Sequence, residues 1–156
     1  MIRLTAITAI LLFAGISWYL APLNPNILAL QFAFTPRAFA EVIHAWPPEH
    51  LAMYRAHLPF DCLLLIAYGT WGYLVATRSA LFRALPAALR RCATWCLPLA
   101  AGFDATENTF HWWLTEIPRF GVPLPYALSA TCSVLKFALI LAFACLALYA
   151  LARRDD

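Results

Sequence analysis

Charge is what this chain has least of. Asp, Glu, Lys and Arg make up 12% of its 156 residues, against roughly 25% in an ordinary soluble domain. Hydrophobic residues fill 63% of it, where a soluble domain carries roughly 45–50%. So few ions cannot hydrate a surface around that much apolar material, and the composition is that of a membrane protein. The formal net charge is only +3, with no long run of Lys or Arg. That excludes nucleic acid as a partner.

Paired cysteine motifs are also missing. Cys62, Cys92, Cys96, Cys132 and Cys145 are scattered through apolar segments, and none forms C-x-x-C. Zinc knuckles and thioredoxin-like chemistry are excluded with it. Cys92 and Cys96, at i and i+4, share a helix face in a geometry unsuited to a disulfide. These cysteines read as small buried hydrophobes, with a bridge from Cys62 to Cys132 across two helices as the alternative. A signal-peptidase site is absent too. The N-terminal apolar run continues to Trp18-Tyr19-Leu20 with no A-x-A-like motif behind it, so it reads as a retained helix with an interfacial anchor.

What is present is length of apolar sequence. Runs of about 20 residues give four spans, near 2–20, 57–77, 91–114 and 125–152. The expected fold is all-α: a polytopic membrane protein, one domain over 1–156, with four transmembrane helices and an interfacial external segment. Pro22, Pro25, Pro86, Pro118, Pro123 and Pro125 punctuate the connections. Pro98 lies inside the third run, which predicts a kink there or a later helix start.

Arginines set the orientation. Arg3, Arg78, Arg83, Arg90, Arg91, Arg153 and Arg154 fall on one side, and Arg37, Arg55 and Arg119 on the other. The positive-inside bias then places both termini in the cytoplasm, in a multi-pass protein of the inner (plasma) membrane. The external connection, 21–56, is long. Alternation of Leu28, Leu30, Phe32 and Phe34 with Ala29, Gln31 and Ala33 predicts an extended stretch hugging the surface. Thr35-Pro36 reads as an N-cap with proline at the first helical position. Phe39, Val42, Ile43 and Trp46 follow at helical spacing, predicting an amphipathic helix in the headgroup region, ended by Pro47-Pro48. It serves either as a cap over the bundle mouth or as a lid for a lipid-like ligand.

Ionisable residues inside the runs carry the functional signal, because hydrocarbon is a poor solvent for ions. Asp104, Glu107, Asn108 and His111 share one face of the third helix, and Asp61 and Tyr68 one face of the second. Lys136 sits at mid-depth in the fourth. These residues are expected to converge, with Ala100-Ala101-Gly102 allowing close helix approach beneath them. Three carboxylates against one ammonium leave a formal balance of −2. Each unpaired ion at mid-bilayer costs roughly 2.5–3.5 kcal/mol, so a proton, a cation or a water-filled cavity must compensate. Lys136 is expected to pair with Asp104 or Glu107.

Such a cluster suits general acid–base work. It also suits a structural polar lock between helices or a proton-coupled carrier. Asp104 and Glu107 are the candidate catalytic acids. Asp61, Tyr68, Asn108, His111 and Lys136 are the candidate ligand-binding residues. No metal or other cofactor is expected, since neither H-x-x-x-H nor E-x-x-H spacing occurs within the cluster. His44, His50 and His57 read as interfacial histidines of the external loop.

Asp61 through Tyr68, the Asp104-x-x-Glu107-Asn108 signature, Lys136, and Leu30-Gln31-Phe32-Ala33-Phe34-Thr35-Pro36 followed by Trp46 resemble a group of uncharacterised four-span bacterial membrane proteins. The resemblance covers most of the chain. It implies the four-span layout and the polar cluster, and supplies no reaction to inherit. A weaker similarity of architecture, without matching motifs, is to the sterol-isomerase and sigma-receptor group. The expected function is binding of an amphipathic or isoprenoid-like small molecule with acid–base turnover, the partners being membrane lipid and that ligand. The alternative is an accessory subunit docking to a membrane protein partner or a second copy through Trp112-Trp113. An ion conduit ranks last, because the cytoplasmic halves of the spans hold almost no ionisable groups.

Overall fold

Proline-bounded apolar runs fold into six helices, with no strand among the described residues: α1 (Ile2–Tyr19), α2 (Ile27–Gln31), α3 (Pro36–Ala45), α4 (Pro48–Arg78), α5 (Ala87–Glu116) and α6 (Leu124–Ala152). The computed structural model describes residues 1–116, 119 and 121–153. Pro118 and Arg154 lie outside the described residues. Helices α1, α4 and α6 are long and apolar enough to cross a membrane. Helix α5 matches them in length, but Arg90, Arg91, Asp104 and Glu107 dilute its apolar composition.

Two boundaries differ from the sequence expectation. Helix α4 begins at Pro48 rather than near residue 57, because Pro48 occupies a first-turn position where a missing N–H costs nothing. The connection expected over 21–56 is shorter by that much. Helix α5 starts at Ala87 and runs unbroken through Pro98, so the later start is overturned.

The stretch expected to be extended, Leu28 to Phe34, is instead helical through Gln31. Asn26 accepts a hydrogen bond from the Ala29 amide at 3.3 Å, capping α2. This local cap outweighs the alternation. Thr35 caps α3 in the same way, through the Ala38 amide at 3.2 Å, with Pro36 in the first turn. The amphipathic face of α3 does not rest on headgroups. Phe39, Val42, Ile43 and Trp46 are all buried, packed with Leu30, Tyr54, Leu58, Leu114 and Tyr126. The Trp46 indole N–H donates to the Pro25 carbonyl at 2.7 Å, pinning the segment as a cap on the bundle.

Below the cap, α1 packs on α4, α4 on α5 and α5 on α6, while short α2 reaches α6. The long helices therefore follow one another as an arc, and none of α1's residues is buried. Helices α4 and α5 approach most closely at Gly69 and Gly72. A Cβ on Gly69 would lie 3.1 Å from the Ala101 Cβ, and one on Gly72 would lie 2.5 Å from the Leu97 Cβ. Gly102, expected at the close contact, faces open space. Ala101 is at the contact, and the glycines that matter lie on the opposite helix. A second apolar cluster, including Val75, Phe82, Leu97 and Phe143, closes the other end.

All five cysteines are free. Only Cys96 is buried, whereas Cys62, Cys92 and Cys145 are exposed and Cys132 is half-buried. The bridge from Cys62 to Cys132 is not formed, and burial holds for one cysteine of the set.

Candidate functional site

Between the two apolar clusters lies a polar layer assembled from α4, α5 and α6. Asp104, Glu107, Asn108 and His111 fall on one face of α5 because residues three, four and seven apart align on a helix. That face is turned inward: each is less than a tenth exposed, and Glu107 is fully buried. Lys136 of α6, 4% exposed, meets them. Its ammonium donates a hydrogen bond to Asp104 Oδ1 at 2.8 Å and makes an ion contact with Glu107 Oε2 at 2.7 Å. One cation thus serves two carboxylates, where the sequence posed a choice between them.

Helix α4 completes the layer. The Tyr68 hydroxyl donates to Asp104 Oδ2 at 3.2 Å. The Asn108 amide donates to Asp61 Oδ2 at 2.6 Å. Asp61 therefore pairs with a neutral amide, while the lysine is engaged by the other two acids. All seven candidate residues occupy this one layer.

They do not share the same access. A cavity of about 860 Å³ lies between α1, α4 and α6 under α2, and Asp61, Tyr68, Asp104, Asn108 and Lys136 line it. Glu107 and His111 do not line it. They stand behind the Asp104–Lys136 pair, with His111 Nδ1 3.9 Å from Glu107 Oε1 and 2.6 Å from the Tyr54 hydroxyl. Most of the remaining cavity wall is apolar, with Ala6, Ala9, Ile10 and Phe13 of α1, Trp71 of α4 and Ile140 of α6, although Ser17 and His57 also line it. Asn26 and Gln31 stand at the end nearest the cap.

Three residues escaped the sequence reading. Tyr54 is 1% exposed and bonds His111, and Tyr126 is fully buried against Phe39. His57 is no interfacial loop histidine. It is 3% exposed on α4, its Nδ1 bonds the Tyr54 carbonyl, and it lines the cavity. Tyr54, His57 and Asp61 sit at i, i+3 and i+7 of one helix, a signal visible only once α4 is started at Pro48.

Chemically, the layer offers a shared ion pair, a carboxylate with a neutral partner, and a ring nitrogen, all at the polar end of an apolar cavity. Among the described residues, no group of three or more His, Cys, Asp or Glu side chains is placed to hold a metal ion. Set against protein-family models, curated proteins and solved structures, the chain finds no match in any of the three.

Proposed function

We propose that this chain is a four-span integral membrane protein that binds an amphipathic, isoprenoid-like small molecule in the cavity between α1, α4 and α6. The carrying observation is the cavity's polarity: apolar walls along most of its length and a polar, ion-paired end. Ligand pockets are typically of this size and build, mostly apolar with a few convergent polar groups. In this reading the tail lies along α1 against Phe13, Trp71 and Ile140, and the head meets Asp61, Asp104, Asn108 and Lys136. Asp104 and Lys136, hydrogen-bonded to each other and both reachable from the cavity, are the pair able to pass a proton to or from a bound head group. Glu107 holds the lysine from behind, and the bonded pair of His111 and Tyr54 lies beyond it.

The four-span reading draws support from the exposed face of α5. That face presents Trp95, Leu99, Trp112 and Trp113, all apolar or interfacial in character. Its exposed Thr106 and Thr109 hydroxyls donate to the Gly102 and Ala105 carbonyls at 2.9 and 2.8 Å, so neither asks anything of the lipid. The ions that lower its average apolarity in mid-helix all face inward.

Filling the cavity tests the reading. Ala9 sits on α1, none of whose residues is buried, and faces the cavity, so Ala9→Trp should insert and fold normally. We expect native mass spectrometry of the purified wild type to show a co-purifying amphiphile, and Ala9→Trp to lose it. Equal retention by both proteins would place the ligand elsewhere and defeat the proposal.

A further inference from the structure

If the cavity takes an amphiphile, as proposed above, the unpaired atoms at its polar end decide which head group it accepts. His57 Nδ1 bonds the Tyr54 carbonyl. A carbonyl only accepts, so Nδ1 carries the ring proton and Nε2 keeps its lone pair. The same logic orients Asn108. Its amide nitrogen faces the Asp61 carboxylate at 2.6 Å, and its carbonyl oxygen has no hydrogen-bond partner among the described residues. Asp61 Oδ1 has no hydrogen-bond partner among the described residues, and Asp61, with His57 and Asn108, lines the cavity. His57 and Asp61, four residues apart, share one face of α4.

The donors beside Asp61 are largely spent within the protein. Tyr68 donates to Asp104, Asn108 to Asp61, and Lys136 is held by Asp104 and Glu107 with its ammonium 4.9 Å over the Phe137 ring. Against the one N–H left on each of Asn108 and Lys136 stand three acceptors with no donor among the described residues: Asp61 Oδ1, His57 Nε2 and Asn108 Oδ1. A buried acceptor left without a donor costs free energy, and one facing another acceptor costs more. We infer that the cavity selects amphiphiles whose head group donates hydrogen bonds, a hydroxyl or an amino group, with Asp61 and His57 receiving them. Heads that only accept, such as an ester, leave those acceptors without a donor and bind less tightly.

Three probes with one tail separate these cases: dodecanol, dodecylamine and methyl dodecanoate, each offered to the full chain in nanodiscs and scored by native mass spectrometry. We expect the alcohol and the amine to be retained about tenfold better than the ester, in line with one unmade hydrogen bond. The ratio of amine to alcohol tells which donor is preferred. Asp61→Asn keeps an oxygen for Asn108 and turns an N–H₂ toward the cavity, so it should raise ester retention while lowering that of the alcohol and the amine. A gain of ester binding cannot come from unfolding. Equal binding of ester and alcohol by the wild type, or an unchanged ranking in Asp61→Asn, overturns this inference alone. If none of the three binds, the amphiphile reading falls and this inference falls with it.

Discussion

At the scale of single residues, the fold depends on how one lysine is shared. Lys136 is buried against Asp104 and Glu107, and removing it leaves two carboxylates without a cation. Breaking a buried pair from one side typically costs about 3–5 kcal/mol, whereas replacing every member with neutral groups is close to neutral. Lys136→Met should therefore lower unfolding stability in mixed micelles by about 3–5 kcal/mol. Adding Asp104→Asn and Glu107→Gln should restore most of the loss. A single variant as stable as wild type would mean that the ions do not depend on one another. This part of the site was legible in the sequence, since helical spacing alone puts Asp104, Glu107, Asn108 and His111 on one face. Which of them reach the cavity was not legible, because that depends on where α1 and α6 stand relative to α5.

At the scale of helices, packing between α4 and α5 is set by glycines that sequence reading did not single out. The small-residue patch on α5 was visible as a run of three, but a run wraps around a helix, and only part of it can face a neighbour. Gly69 and Gly72, three apart on α4, supply the other half of the contact. Gly72→Ala would drive a Cβ to 2.5 Å from the Leu97 Cβ, which lies at the root of that side chain and cannot swing aside. Overpacking of this kind costs about 1–3 kcal/mol. Gly102→Ala, by contrast, meets nothing within 4 Å and should stabilise α5 by roughly 0.5–1 kcal/mol. Unfolding curves of the two variants should move in opposite directions, and movement in the same direction would contradict the contact. The start of α4 was missed for a related reason. Pro47-Pro48 marks the end of α3, but the second proline also opens the next helix, and a breaker read once hides its other role. Starting α4 late concealed Tyr54 and misassigned His57.

At the scale of the whole molecule, the number of crossings is decided by α5. If α1, α4 and α6 alone cross the bilayer, the termini lie on opposite sides. If α5 crosses as well, they lie on the same side. An average over the helix counts Asp104 and Glu107 against crossing, although both are buried in the bundle and never meet lipid. Judged by its exposed positions, mid-helix α5 is as compatible with hydrocarbon as its neighbours, and it is packed between α4 and α6 along its length. On the four-span reading proposed above, α5 crosses together with the two helices it packs between, which keeps the polar layer in one piece. On that proposed reading, the positive-inside bias puts Arg78, Arg83, Arg90 and Arg91 on the cytoplasmic side. Fusing green fluorescent protein to either terminus should give fluorescent cells. Alkaline phosphatase fused at the C-terminus should be inactive, and the same enzyme joined after Ala21 active. Active phosphatase at the C-terminus would leave three crossings, and α5 would then have to hold its acids outside the bilayer.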